Sequence, residues 1–267
     1  MKSTNPILYS IARSSLIGMI VCSVASAATI SVNFTSGDSK SALLPDDVAG
    51  APGADTELAG WNNVPGQNGT TTDLLYADGT PSSVSVAVSG APGHGSWNLP
   101  HDPVDANDRF WKGYIDFSTG GSVEVSGLSV TGVYDVYVYF DGSNETNIWR
   151  VATFTIGSTS LSGEDSENTN WGSGQNTGKV YQLPLPGSEG ANQTWPAAAT
   201  NNEGNYVVFR GVSGDAFTLL ASGTGTGDGN LRAPLTGIQI VQVPEPSALV
   251  LGSLGVLGLL SRRKRSA

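Results

Sequence analysis

The chain has one cysteine, two histidines and few cations. A single cysteine excludes an intramolecular disulfide and a cysteine-based zinc site, and two histidines argue against a multi-histidine metal centre. Thirteen Lys and Arg against 23 Asp and Glu leave a net charge of −10, which argues against a nucleic-acid partner because phosphate neutralisation needs clustered cations. The 35 glycines disfavour a helical bundle. We therefore expect an acidic, glycine-rich domain held together by its core.

The N-terminus has the three parts of a secretory signal peptide. Lys2 and Arg13 give a basic start, residues 14–24 are an apolar stretch, and Ala25 and Ala27 form a small-x-small end. Signal peptidase accepts only small side chains at those two places, so we expect cleavage after Ala27. The alternative, a membrane anchor, is disfavoured because the apolar stretch is too short. The only cysteine lies inside this segment, so the mature chain contains none.

The C-terminus combines an extended motif, an apolar run and a basic cluster. The apolar run, residues 248–260, has 13 residues, about 20 Å as a helix against a hydrocarbon core of about 30 Å. The run is apolar on every face and is followed by cations, which favours a short transmembrane helix. Basic residues stay on the cytoplasmic side, and their long side chains can extend to the membrane–water interface and so lengthen a short span. The flanking motifs are Pro244, Glu245 and Pro246 before it, and Arg262, Arg263, Lys264 and Arg265 after it.

This order of motif, short helix and basic cluster resembles the PEP-CTERM sorting tail of exported bacterial proteins, which is also labelled the C-terminal domain of ice-binding proteins. The resemblance covers residues 243–265. It implies that an exosortase-type membrane protease recognises the Pro-Glu-Pro motif, and that the protein reaches the cell surface or its exopolysaccharide. Two prolines around one residue also disfavour helix and sheet, which keeps the segment extended. Alternatively the prolines only end the last strand, but the basic cluster favours sorting.

Residues 28–243 form the body, in which seven Lys and Arg against 22 Asp and Glu give a charge of −15. Short runs of alternating apolar residues separated by Gly, Asn and Asp predict strands, and no long stretch has helical periodicity. The strongest run is 133–140. The pattern predicts an all-β fold, a single jelly-roll-like β-sandwich. We expect residues 30–34 and 238–243 to be neighbouring strands. The domains are then 1–27, signal peptide; 28–243, β-sandwich; and 244–267, sorting tail.

All six tryptophans lie in the body, beside polar or turn residues. Sugar-binding sandwiches stack a pyranose ring on an exposed aromatic face and bind its hydroxyls with polar side chains. Trp97, Trp171 and Trp195 lie in predicted loops and are the candidate glycan-binding residues. The competing interpretation is that a tryptophan anchors the core, and for any single tryptophan it is the favoured one.

Acidic residues in two segments could offer oxygen ligands to Ca²⁺. Glu164, Asp165 and Glu167 lie in a predicted long polar loop, residues 162–176, and Asp228 lies in a second loop. Neither segment matches the twelve-residue calcium-loop pattern, so a solvated loop is favoured and no cofactor is predicted.

The composition and motifs leave three hypotheses for the body. The first is a non-catalytic protein of the cell surface or extracellular matrix, exported first as a membrane-anchored precursor. The second is a carbohydrate-binding module that engages exopolysaccharide through the tryptophan loops. A secreted glycoside hydrolase ranks last. No catalytic residue is predicted, because His94 and His101 lie near aspartates but no serine has a Gly-x-Ser-x-Gly environment. The expected partners are signal peptidase and the exosortase-type protease.

Overall fold

The computed structural model describes residues 27–53, 55–65, 68–90, 96–98, 102–103, 105–140, 150–165, 203–204, 206–226 and 231–244. Side chains are described within these ranges except at residues 96–98, 150, 164–165, 203–204 and 224–226. The described residues belong to one compact unit, Ser26–Glu245.

Strands dominate this unit. In chain order they are β1 Thr29–Phe34, β2 Asn62–Val64, β3 Gly69–Thr71, β4 Ser85–Ser89, β5 Ser96–Asn98, β6 Gly113–Asp116, β7 Gly121–Ser126, β8 Val133–Tyr139, β9 Arg150–Ile156, β10 Thr159–Asp165, β11 Glu203–Gly204, β12 Tyr206–Ser213, β13 Ala216–Thr226, β14 Pro234–Leu235 and β15 Gly237–Gln242. A 3₁₀ turn spans Ser39–Ser41, and one helix, α1, spans Ala106–Lys112. The Asp105 side chain caps α1 by accepting the Asp108 backbone N–H at 2.8 Å.

The strands form a sandwich of two large sheets and one small sheet. The five-stranded sheet has the order β12-β8-β15-β1-β2, the seven-stranded sheet β11-β10-β9-β13-β7-β4-β3, and the three-stranded sheet β14-β6-β5. Most pairs are antiparallel, except β1 with β2 and β10 with β11. The predicted all-β sandwich is thereby confirmed. Neighbouring strands are often distant in sequence, so the order of the sheets depends on long-range pairing.

The main core lies between the two large sheets and is built from alternating strand residues. On the five-stranded sheet, β8 contributes Tyr134, Val136 and Val138, all buried. The ring of Phe140, just after β8, packs on Phe154 of the seven-stranded sheet with centroids 5.2 Å apart. Other members of this core are Ile30, Val32, Phe34, Val86, Val88, Val123, Val125, Ile156, Leu161, Val207, Phe209, Phe217, Leu219, Ile238 and Ile240.

The outer face of the five-stranded sheet is also covered, by α1 and by residues of the segment 35–61. A second buried group, which we call the aromatic cluster, fills this layer. Its centre is Phe110, whose ring centroid lies 4.7 Å from Trp61, 4.9 Å from Trp111 and 5.3 Å from Tyr139. The cluster consists of Leu43, Ala49, Ala51, Trp61, Phe110, Trp111 and Tyr139. β1 is therefore buried on both faces along its whole length.

Polar residues of the covered face tie the segment 35–61 to the sheet. Ser31, Asn33 and Gln239 have no exposed surface. Asn33 donates to the Ser41 carbonyl at 2.8 Å, and Gln239 donates to the Thr56 carbonyl at 2.8 Å. Buried polar groups need hydrogen-bond partners. These bonds supply such partners where the segment 35–61 covers the polar face of the sheet.

One predicted loop is wrong in part. Residues 162–176 were expected as a polar loop, but β10 extends through Asp165 and pairs with β9 and β11. Leu161 is buried in the core while Thr153 and Ser162 bond across the strands at 2.8 Å. A single apolar residue among polar ones produces little alternation, so the strand gave no signal. Residues 166–176 lie outside the described range.

Candidate functional site

The two ends of the body meet where two neighbouring internal strands of the five-stranded sheet, β1 and β15, begin and end. β1 and β15 pair antiparallel, with Thr29 opposite Val241. The pairing continues past the strand, because the Gln242 N–H donates to the Ala28 carbonyl at 2.9 Å. This confirms the predicted neighbouring strands. The expected signal-peptidase site, after Ala27, and the start of the Pro-Glu-Pro motif at Pro244 therefore lie together.

The last residues before the motif are hydrogen-bonded on the other side as well. The Val243 N–H donates to the Val133 carbonyl at 2.8 Å, at the start of β8. Val133 and Val243 are 38% and 37% exposed, which leaves an apolar pair beside the motif. Pro244 is exposed and has no N–H. Pro244 therefore cannot donate a further hydrogen bond to the sheet.

A turn beside these chain ends carries a stabilised negative charge. The Ala77 N–H donates to the Thr29 carbonyl at 2.8 Å, which fastens the turn of residues 76–80 to β1. The Thr80 hydroxyl and backbone N–H donate to Asp78 at 2.6 and 2.9 Å. These hydrogen bonds hold the pKa of Asp78 below its usual value. The turn and residues 27–29 and 58–59 line a groove of about 560 Å³.

The described cations are paired with aspartates, both on the surface and in buried positions. Each of the five Lys and Arg side chains that the structure describes contacts an aspartate, and the hydrogen bond with Asp102 raises the pKa of Lys40. The pairs are Lys40–Asp102, Arg109–Asp47 at 2.7 Å, Lys112–Asp38 at 3.8 Å, Arg210–Asp135 at 2.6 Å and Arg232–Asp116. The unbalanced charge of the body is thus negative.

Of the three predicted glycan-binding tryptophans, the structure describes only the main chain of Trp97. The main chain of Trp97 lies in β5, opposite Tyr114 of β6, at the edge of the three-stranded sheet. Trp171 and Trp195 lie outside the described residues. Trp61 and Trp111 are buried in the aromatic cluster. The anchoring interpretation is therefore confirmed for these two.

The proposed calcium ligands also divide between described and undescribed parts of the chain. Glu164 and Asp165 are at the end of β10, whereas Glu167 and Asp228 lie outside the described residues. Among the described residues, no group of three or more His, Cys, Asp or Glu side chains is placed to hold a metal. Neither the favoured solvated loop nor the alternative of calcium binding is tested by the described residues.

A family model of the PEP-CTERM protein-sorting motif matches residues 242–265. The chain carries a PEP-CTERM sorting motif. This motif implies processing by an exosortase and an exported precursor that is first anchored in the membrane and then secreted. The match begins at Gln242, the last residue of β15, so the PEP-CTERM motif starts inside the folded sheet. A search of curated proteins finds no match to the chain.

Most of the PEP-CTERM tail lies outside the described residues. No helix in the described part of the chain is long and apolar enough to span a bilayer, and the predicted transmembrane segment 248–260 is not in that part. The other predicted processing residues outside it are Ala25, Glu245, Pro246, Arg262, Arg263, Lys264 and Arg265.

The sequence did not point to the residues that hold the start of the motif. Ala28 and Val133 act through their carbonyl oxygens, which every residue has, so residue type carried no signal. Only the expected neighbourhood of the first and last strands hinted at such contacts.

Proposed function

We propose that this PEP-CTERM protein is a non-catalytic component of the cell surface or extracellular matrix, whose β-sandwich is the delivered cargo. The observation that carries the proposal is the direct passage from β15 into the sorting motif, with Pro244 exposed at the joined chain ends. Because the folded body ends where the Pro-Glu-Pro sequence begins, the body and the sorting signal are separate parts of the chain, which fits a delivered domain followed by a sorting tail.

The use of charge in the body supports a non-catalytic role. Asp47 binds Arg109 of α1, and Asp38 lies 3.8 Å from Lys112 of the same helix. Both pairs fasten the segment 35–61 to α1. Asp38 and Asp47 thus hold layers of the fold together.

Sorting is tested by following a C-terminal tag through export. We expect the tag to be removed from the mature protein, and Glu245→Ala to keep it attached in the membrane fraction because the motif loses its only carboxylate. Glu124→Ala is the matched control, since Glu124 is exposed on β7 and far along the chain from the motif. A released protein that keeps its tag, or normal processing of Glu245→Ala, contradicts the sorting proposal.

The non-catalytic role is tested on purified exopolysaccharide and on a broad polysaccharide panel. We expect no turnover. Calcium-dependent or calcium-independent binding that is lost in Trp97→Ala, Trp171→Ala or Trp195→Ala would instead support the carbohydrate-binding module. Turnover abolished by one carboxylate substitution would support the hydrolase.

A further inference from the structure

The first residues of the sorting motif are held in the interior of a sheet. β15 lies between β8 and β1 in the five-stranded sheet. The Gln242 N–H is bonded to Ala28 on the β1 side, and the Val243 N–H to Val133 on the β8 side. The matched motif begins at Gln242, so its start is clamped from both sides.

A protease needs a segment whose main chain is free to enter its cleft. Susceptibility to cleavage follows from the burial and hydrogen bonding of the affected backbone, and peptide recognition in an extended form uses main-chain N–H and C=O groups. In the folded protein the N–H groups of Gln242 and Val243 are already used. Pro244 is the first residue beyond the clamp.

We propose that fraying of the end of β15 limits the processing of the PEP-CTERM tail, and that the main chain of Ala28 and Val133 sets this limit. The inference rests on the proposed sorting function. Ala28 is also the expected first residue of the mature chain, so the end produced by signal peptidase holds the start of the segment that the second protease must take.

The expected size of the effect follows from the two hydrogen bonds. Strand ends open locally at a free-energy cost below that of global unfolding, and the net worth of two backbone bonds corresponds to about a tenfold change in the open population. When opening is fast relative to cleavage, the cleavage rate follows that population. Removing the clamp should therefore speed processing about tenfold.

The first test moves the motif away from the sheet without changing it. Insertion of Gly-Ser-Gly-Ser between Val241 and Gln242 keeps residues 242–265 contiguous, and the inserted backbone can take over the bonds to Ala28 and Val133. The control places the same insertion between Gly157 and Ser158, in the exposed turn between β9 and β10. We expect about tenfold faster cleavage of the first variant by the membrane-embedded protease, and the wild-type rate for the control.

The second test closes the clamp covalently. Thr29 and Val241 are directly opposite on neighbouring strands, a spacing compatible with a disulfide. The mature chain has no other cysteine to interfere. We expect oxidised Thr29→Cys/Val241→Cys to be cleaved at least about tenfold more slowly than the same variant after reduction. This comparison decides the question even when the insertion variant does not fold.

The outcomes separate this inference from the sorting proposal. Wild-type cleavage that does not depend on Glu245 contradicts sorting itself. The other contrary result is cleavage that depends on Glu245 but runs at one common rate in the wild type, the insertion variant and both redox forms of the disulfide variant. That result overturns only the proposal that fraying of β15 limits processing.

Discussion

Replacing Gln239 by leucine tests whether the polar bonds of the covered sheet face hold the outer layer in place. Gln239 has no exposed surface. Its amide donates to the Ser31 hydroxyl at 2.9 Å and to the Thr56 carbonyl at 2.8 Å, and its carbonyl accepts the Tyr139 hydroxyl. Leucine has a similar volume but cannot make any of these bonds.

The expected loss is large because three partners are left in a buried layer. Each unsatisfied buried group costs about 1–3 kcal/mol, so we expect Gln239→Leu to lower the free energy of unfolding by about 4 kcal/mol. Total stabilities are about 5–15 kcal/mol. Tyr139→Phe removes the bond to Gln239 and the one accepted from Ala51 N–H at 2.9 Å, and we expect it to cost about 2 kcal/mol.

Urea unfolding of the processed protein, followed by tryptophan fluorescence, measures both variants. Trp61 and Trp111 lie in the aromatic cluster and report on the covered layer. Because Gln239 and Tyr139 share a bond, the double variant should cost about 1–2 kcal/mol less than the sum of the single ones. Glu124→Leu, at an exposed strand position, is the control and should change stability by less than about 0.5 kcal/mol. A loss below about 1 kcal/mol for Gln239→Leu, or strictly additive variants, would refute the reasoning.

Three further perturbations test other contacts. Gly50 has a φ of +112°, and an added Cβ would lie 2.2 Å from a backbone oxygen, so Gly50→Ala should lower the melting temperature, whereas an unchanged one contradicts the close approach. Asp116→Asn weakens the pairing of Arg232 with a fully buried carboxylate and should cost about 3 kcal/mol in urea unfolding; a loss within about 0.5 kcal/mol would count against it. The hydrogen bonds from Thr80 lower the pKa of Asp78. The stability that the ionised Asp78 contributes is therefore present above the usual aspartate pKa and is lost as the pH falls through the lowered pKa. NMR titration should find a lowered pKa for Asp78, and Thr80→Val should raise that pKa.

The strands that the sequence predicted are those with a regular apolar alternation. β8 is the clearest case, because Tyr134, Val136 and Val138 all face the main core. β10 was missed since only Leu161 marks its buried face. The small sheet and α1 were missed because their elements are short, and their burial depends on segments distant in sequence.

The outer face of β8 shows why a pattern alone is insufficient. Tyr137 and Tyr139 alternate with the core residues and could face solvent equally well. In the structure Tyr139 has no exposed surface, because Phe110 of α1 and Trp61 pack on it. Alternation shows which residues share a face, whereas the covering of that face depends on residues from other segments.

The sequence by itself determined the C-terminal sorting motif and the all-β class, and it predicted the N-terminal signal peptide. All three depend on local features: the order of charge, apolar length and proline, and the period of two. Only the tertiary structure decided that the chain ends meet and that the sorting motif begins within a central strand. Such contacts join residues as far apart as Ser31 and Gln239, 208 positions along the chain. Pairing over that distance is selected by the packing of the whole sandwich, since backbone bonds are available to every residue and carry no signal of their own.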